Sequence, residues 1–213
     1  DVVHAFDGWP YSVYAYFAVL GTRKKFFING VGTYSVAPFG SFIKAFVLSR
    51  VYGKAKKIFC ISNYTKNRIL EKIRINNLET VFLGTSNIDK PSAEVIARYS
   101  QKYGIESDTY PIFLSVGAIK HRKGQYYSLR AITKLADKYK NFRYFILGSV
   151  SDRVYVESIK KYIKAKGLIE NVVIVNNVEE EELAFFYSVA DIFLLNSVND
   201  GDHFEGFGLV FLE

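Results

Sequence analysis

The sequence predicts an α/β protein built from two Rossmann-like domains, each with a parallel sheet. Three observations carry this. Short, nearly continuous runs of β-branched and aromatic residues recur along the chain, as in strands buried on both faces. Segments with helical spacing separate them, the order expected of βαβ units. The rhythm runs twice, and a polar stretch with a proline lies between the two passes.

In the first pass, "DVVHAF" (1–6), "KKFFIN" (24–29), "KKIFCIS" (56–62) and "ETVFLG" (79–84) read as strands. "GWPYSVYAYFAVLG", "FGSFIKAFVLSRVYGKA" and "SNYTKNRILEKI" between them read as helices, with Ser62 or Asn63 as N-cap of the third. In the second pass, strands at 111–117, 142–148, 171–176 and 191–197 alternate with helices at 124–139, 153–167 and 179–190. Gly84, Pro91 and the polar run from Ser86 to Ser92 read as a linker. The predicted domains are therefore 1–90 and 91–213, with a ligand cleft at the carboxyl ends of the strands.

Composition narrows the function. The chain has 213 residues, of which 49% are hydrophobic and 23% charged, ordinary for a packed globular protein. No apolar run approaches a membrane span, and the start lacks the pattern of a signal peptide. A single cysteine, Cys60, excludes an internal disulfide framework and a cysteine-based zinc site, so a reduced, cytoplasmic setting is expected. There is no methionine. With an abrupt end at Glu213, the chain reads as a segment of a longer protein, both domains incomplete. The net charge of +7 suits an anionic partner. The basic residues are scattered, however, and no zinc-finger or RNP-like motif accompanies them, so no nucleic acid is expected.

Three stretches could carry chemistry. In "LSVGAIKHRKGQ" (114–125) a strand ends at Gly117 and a helix opens after Gly124, with Arg122 and Lys123 beside its start. Helix-start amides attract phosphate; alone, the stretch is equally a βα turn with solvated lysines. In "FEGFGLVFLE" (204–213) Gly206 and Gly208 leave backbone exposed, and a helix is expected to begin at Gly208. At about 100° per residue, Glu205 and Glu213 would be offset by a net ~80°, able to meet different parts of an extended ligand. In "INGVGTYS" (28–35) Gly32 allows close approach, and Thr33 and Tyr34 offer hydroxyls; a tight turn explains the same residues. His4 is placed at the cleft edge, or is a half-buried structural histidine. "NDGDHFE" (199–205) has one histidine among flexible acids, a weak metal signal, so no metal is expected.

The ordered segments "SVGAIKHRKGQYYSLRAI", "FRYFILGS", "NVVIVNNVEEEELAFFYSVADIFLLNS" and "FEGFGLVFLE", with "DVVHAFDGWPYS", "NGVGTYSVAPF" and "AKKIFCISNYTKNRI" before them, resemble glycosyltransferase family 4. These are retaining sugar transferases of the GT-B fold, within the glycosyl transferases group 1. The resemblance spans the end of the N-terminal, acceptor-side domain and the start of the nucleotide-binding domain. It implies that Glu205 lies beside the donor sugar and Glu213 bonds the ribose. It also implies that the amides of Phe207, Gly208, Leu209 and Val210 hold the diphosphate, which Lys123 neutralises. Gly117 and Arg122 border that diphosphate, Asn177 and Val178 meet the base, and Glu182 begins the helix beyond. Two positions depart from the pattern. Ala118 stands where the family often has arginine, and Asn29-Gly30 where it often has histidine-glycine, which leaves Gly32 and Thr33, with His4, on the acceptor side.

The expected partners are a nucleotide-sugar donor and a glycan or lipid-linked acceptor, with no cofactor and no obligatory metal. Lys44, Arg50, Lys54, Lys56 and Lys57 lie along an apolar helix, which core packing of the first domain explains first; the alternative is peripheral contact with an anionic membrane at its inner face. The rival functions are a catalytically silent nucleotide-sugar-binding protein and another GT-B enzyme, such as a nucleotide-sugar epimerase.

Overall fold

The computed structural model describes residues 1–85 and 88–213. Ser86 and Asn87, at the start of the expected linker, lie outside the described residues. The chain divides into two compact units: Asp1–Thr85 with Asn199–Leu212, and the remainder as far as Val198 with Glu213.

The first unit is a four-stranded parallel sheet in the order β1 (Val2–Ala5), β2 (Lys25–Gly30), β3 (Lys57–Cys60), β4 (Leu78–Thr80). Its crossovers are α1 (Tyr11–Val19), the single turn α2 (Thr33–Val36) running on to α3 (Phe42–Lys54), and α4 (Asn63–Leu70). Strand residues alternate. Ala5, Phe26, Ile28, Ile58 and Cys60 are buried in one core with Leu48, Val51 and Tyr52 of α3. The opposite face carries His4, Phe27, Asn29 and Phe59, which are half-buried or exposed. On α3 the burial of Leu48, Val51 and Tyr52 matches the core packing weighed from sequence. Phe42 (89% exposed), Ile43 (74%) and Phe46 (55%) lie outside it. Lys44 lies over the Trp9 ring and Arg50 over Phe46. Ser62 is the N-cap of α4, its hydroxyl accepting from the Thr65 N–H at 3.0 Å.

The second unit begins with α5 (Ala93–Tyr103), capped by Ser92 and ended by Gly104 in the left-handed region. A parallel sheet follows in the order β7 (Val172–Val175), β6 (Arg143–Leu147), β5 (Ile112–Val116), β8 (Ile192–Phe193). Between the strands run α6 (Gln125–Thr133), α7 (Arg153–Ala165) and α8 (Glu180–Val189). Strand β6 is buried on both faces. Tyr144 and Ile146 meet Leu129, Ile132 and the Tyr155–Val156–Ile159–Ile163 stripe of α7. Phe145 and Leu147 meet Tyr99 of α5 with Phe185 and Phe186 of α8. Two-sided burial is why these strands read as unbroken apolar runs. Because the chain moves from β5 to β6 and β7 and returns to β8 beyond β5, the strand order reverses beside β5, the place where open α/β sheets bind ligands.

Four differences from the sequence reading have local causes. Helix α6 stops at Thr133 instead of running to 139. The Thr133 hydroxyl donates to the Leu129 carbonyl at 2.8 Å, and the next amides, of Lys134 and Leu135, bond three residues back. Strand β8 keeps two residues; the Leu194 amide still donates to the Leu114 carbonyl at 2.7 Å, but by Asn196 the chain bonds Ser128 of α6, at 2.9 Å. The helix expected from Gly208 is a three-residue 3-10 turn, Leu209–Phe211. Its amides bond three residues back, Phe211 to the Gly208 carbonyl at 3.0 Å and Leu212 to that of Leu209 at 2.8 Å. Finally, residues 199–212, placed by sequence in the second domain, pack within the first unit. Asp202 receives Arg68 at 2.7 Å and Lys72 at 3.0 Å, and Tyr64 meets Phe204 edge-on.

Helices α5 and α8 are tied by a buried carboxylate. Glu182 accepts from Lys102 Nζ and from the Tyr103 hydroxyl, each at 2.6 Å. Burial pushes this carboxyl up, but the bonds from Lys102 and Tyr103 together with the lysine's charge outweigh it and hold it below the usual range. A depressed carboxyl contributes stability that is present above its unfolded pKa and lost as pH falls through the folded one. Glu182→Gln is expected to cost about 1–2 kcal/mol at pH 7. The gap from the parent should close as pH falls below about 4, measured by thermal unfolding across that range.

Candidate nucleotide-sugar site

In the second unit the carboxyl ends of β5, β6 and β7 rim a cavity of about 320 Å³. Its walls include Gly117, Ala118, Gly148, Ser149, Asn177 and Val178, over an apolar floor of Leu147 and Leu183. The size falls at the lower end of small-ligand sites. Apolar walls with backbone groups at the rim suit a flat ring that is held by its edges.

The loops around this cavity are set by close backbone approach. Gly148 has φ 146°, and a Cβ there would stand 2.1 Å from the Gly117 carbonyl oxygen. Gly117 has φ 134°, and a Cβ on it would lie 3.8 Å from both Cε and Nζ of Lys123. The Lys123 side chain therefore lies against the end of β5. Gly124, at φ 72°, faces the Asn196 carbonyl so closely that a Cβ would be 1.9 Å away. The Val198 amide donates to the Arg122 carbonyl at 2.8 Å, so the basic loop after β5 is held by the chain leaving β8. Asn177 is in the left-handed region with φ 54°, alone among the described non-glycine residues. Such a conformation costs energy and is often retained where a ligand is met.

Most of the second unit's expected site residues thus come together. Gly117, Asn177 and Val178 line the cavity, and Lys123 lies over Gly117. Glu182 is different: its carboxylate is engaged by Lys102 and Tyr103, and it is not part of the cavity wall. Glu213 accepts a hydrogen bond from Tyr187 at 2.6 Å. Burial and the carboxylate beside it push the Tyr187 phenol well up. Sequence reasoning missed Tyr187, Gly148 and Ser149. The "LGS" that ends strand β6 was a visible signal for the last two; nothing in sequence links Tyr187 to Glu213.

In the first unit the closing segment is seated on the loop after β2 and on the start of α4. Ser62 Oγ donates to the Gly206 carbonyl at 2.6 Å and Thr65 Oγ1 at 3.3 Å. A Cβ on Gly206 would be 2.4 Å from the Val31 carbonyl oxygen, and one on Gly32 would be 3.8 Å from the Gly206 Cα. Gly32 and Gly206 therefore face each other, with Thr33 opening α2 next to them. Glu205 is half-buried at this seat. Phe207 lies by Phe82, ring centroids 6.2 Å apart, while Gly208 at φ 76° starts the turn that holds Leu209 and Val210.

Under the same loop, Asp7 accepts from the Gly8 amide at 2.6 Å and from Ser35 Oγ at 2.9 Å, and burial pushes its carboxyl up. The Tyr52 hydroxyl donates to the Ser35 carbonyl at 3.1 Å. These residues hold the "INGVGTYS" loop and were not singled out from sequence. His4 lies on the open sheet face against Phe27 and Phe59 and bonds Asn29 at 2.9 Å. The acidic loop forms a tight bridge between Asp200 and His203. Among the described residues no three metal-capable side chains gather. Cys60 is fully buried, and burial pushes its thiol up to about 12, leaving it unreactive.

The Gly148–Gly117 approach generates a prediction. Gly148→Ala puts a methyl into the Gly117 carbonyl at an unfavourable φ, and is expected to cost about 2–3 kcal/mol. Thermal unfolding measures it, with Gly167→Ala, where nothing lies within 4 Å, as the milder comparison.

Comparison with known proteins matches this arrangement. Residues 95–213 match the family model of glycosyl transferases group 1. The GDP-mannose-dependent alpha-(1-6)-phosphatidylinositol monomannoside mannosyltransferase of Mycolicibacterium smegmatis is 26% identical over 171 residues, 78% of this chain and 43% of its own length. The 2-deoxystreptamine glucosyltransferase of Streptomyces kanamyceticus is 24% identical over 105 residues, 49% of this chain and 26% of its own. Among solved structures, Anabaena HepE in complex with UDP-glucose superposes with TM-score 0.81 at 16% identity, over 99% of this chain and 56% of that one. This chain thus spans about half or less of the length of these proteins. The matched region takes in α5 to α8, the cavity-lining loops and both closing glutamates, more than half of the chain. This protein belongs to the glycosyl transferases group 1, and its two parallel α/β units are those of the GT-B fold.

Proposed function

We propose that the whole protein is a retaining glycosyltransferase that moves a sugar from a nucleoside-diphosphate donor to a hydroxyl acceptor, in glycan, polysaccharide or glycolipid synthesis. The observation that carries this reading is the family match over 95–213, which takes in Lys123, Glu205 and Glu213. The base enters the cavity at the ends of β5, β6 and β7, against Asn177 and Val178. Lys123, with Arg122 beside it, neutralises the diphosphate as it leaves, and the amides from Phe207 to Val210 hold its oxygens. Positive charge and oriented N–H groups at the departing oxygens are worth most as the bond to the sugar breaks. Glu205 orients the sugar, and Glu213, held by Tyr187, takes the ribose hydroxyls. Gly32 and Thr33 border the acceptor.

The mannosyltransferase named above is GDP-mannose-dependent and HepE is solved with UDP-glucose, so the donor screen should span purine and pyrimidine diphosphate sugars. No cofactor and no obligatory metal takes part, and Ala118 shifts the burden of charge neutralisation to Lys123. We place the protein in the cytoplasm at the inner membrane face. The exposed Phe42, Ile43 and Phe46 of α3, with Lys44 and Arg50, would touch anionic lipid. Among the described residues no helix is long and apolar enough to cross a membrane.

In the full-length protein, Lys123→Ala and Glu205→Ala should each lower transfer by about 10²–10³-fold while thermal unfolding stays near the parent's. Nucleoside diphosphate release with and without acceptor is the readout, and chelator should leave it unchanged. Undiminished turnover in both variants sinks the assignment. Donor binding without release in the parent would favour a silent binding protein instead.

A further inference from the structure

The first unit holds a concavity of its own. It has a volume of about 560 Å³ and lies where α1 and α3 end and β2 and β3 begin, the end of the sheet opposite the Gly32 and Gly206 loops. Lys24, Lys25, Lys54 and Lys56 line it, with Tyr16 and Leu20. Among the described residues none of these four lysines is paired with a carboxylate. The surroundings offer none nearby in sequence: from Gly8 to Leu70, 63 residues, there is no Asp or Glu, against ten Lys and Arg.

The rim is built rather than loose. The Thr22 hydroxyl donates to the Val19 carbonyl at 2.8 Å and accepts from the Lys24 amide at 3.2 Å, which pins the turn after α1. The Lys56 amide donates to the Phe26 carbonyl at 2.7 Å, which pins the approach to β3. Helix ends alone do not account for the charge. Each helix C-terminus carries about −0.5 of an elementary charge, so two of them balance about one lysine. A surplus of about three positive charges remains around one concavity, where the ammonium groups repel one another until an anion enters.

We propose that this lysine-walled concavity binds a multiply charged phosphate group. A compact, strongly hydrated point charge on a flexible stem is the side chain suited to a tetrahedral anion approached from several sides. The phosphate belongs either to a soluble phosphate ester or to a lipid headgroup, and Leu20 (51% exposed) with the neighbouring Phe17 (62%) offers apolar contact for the latter.

The test uses the full-length protein, its Lys24→Gln/Lys25→Gln variant and its Lys54→Glu/Lys56→Glu variant. The first pair leaves the end of α3 untouched, so a folding defect in the second does not decide the outcome. Inorganic pyrophosphate is titrated while backbone amide shifts of residues 20–26 and 54–56 are followed, which separates this site from any diphosphate bound elsewhere. Vesicles of phosphatidylcholine with phosphatidic acid, whose headgroup is a phosphate monoester, are co-sedimented in parallel. Saturable shifts at these amides, weakened roughly 30-fold by loss of two lysines, support the proposal with a soluble ligand. Vesicle binding weakened to the same degree without pyrophosphate shifts supports it with a lipid. No response to either probe, or binding that the variants leave unchanged, overturns it.

Discussion

Burial of strand β6 on both faces is the constraint from which the second unit follows. Tyr144 and Ile146 need α6 and α7 on one side, while Phe145 and Leu147 need α5 and α8 on the other. Helices on both faces require crossovers, and crossovers between parallel strands bring every strand's carboxyl end to the same edge. The loops that leave β5, β6 and β7 therefore converge, and the space between them is a cavity because their backbones are glycine where they touch. Gly117 and Gly148 meet carbonyl against Cα, at a distance no side chain allows. Packing of an apolar strand thus positions polar backbone at the rim of a cavity without any polar residue having specified it.

The first unit follows the same rule on one face only. Its core is a single layer between the sheet and α1, α3 and α4, and the other face shows His4, Phe27 and Phe59. At one end of this unit the closing segment has a long-range seat. The Gly206 carbonyl takes two hydroxyls from Ser62 and Thr65, and Asp202 takes Arg68 and Lys72. An N-cap serine thereby serves two purposes: it satisfies the Thr65 amide and holds a segment 144 positions away in sequence. The same helix, through Arg68, neutralises Asp202 of the acidic loop.

Legibility was uneven for physical reasons. Strands and long helices are written in side-chain periodicity, so Tyr155, Val156, Ile159 and Ile163 announce α7 directly. Helix ends are written in short-range chemistry and were half legible: Ser62 could be read as a cap, whereas the Thr133 back-bond that ends α6 could not. Gly117, Asn177, Val178 and Lys123 were singled out through family motifs; the structure places the first three around one cavity, with Lys123 against Gly117. Glu182 was misplaced because a glutamate in the first turn of a helix reads alike whether it faces a ligand or, as here, a lysine and a tyrosine from another helix.

By itself the sequence determined the class of the fold, the order of its elements and the family to which the chain belongs. Those properties reside in local pattern, where each residue's neighbours in the chain are its partners in structure. The tertiary structure alone decided which acids are engaged in ion pairs, which glycines are obligatory, and with which unit the closing segment packs. It also decided that lysines distant in sequence line one concavity. Such properties depend on distances between residues far apart in the chain, and they exist only once the sheets have brought those residues together.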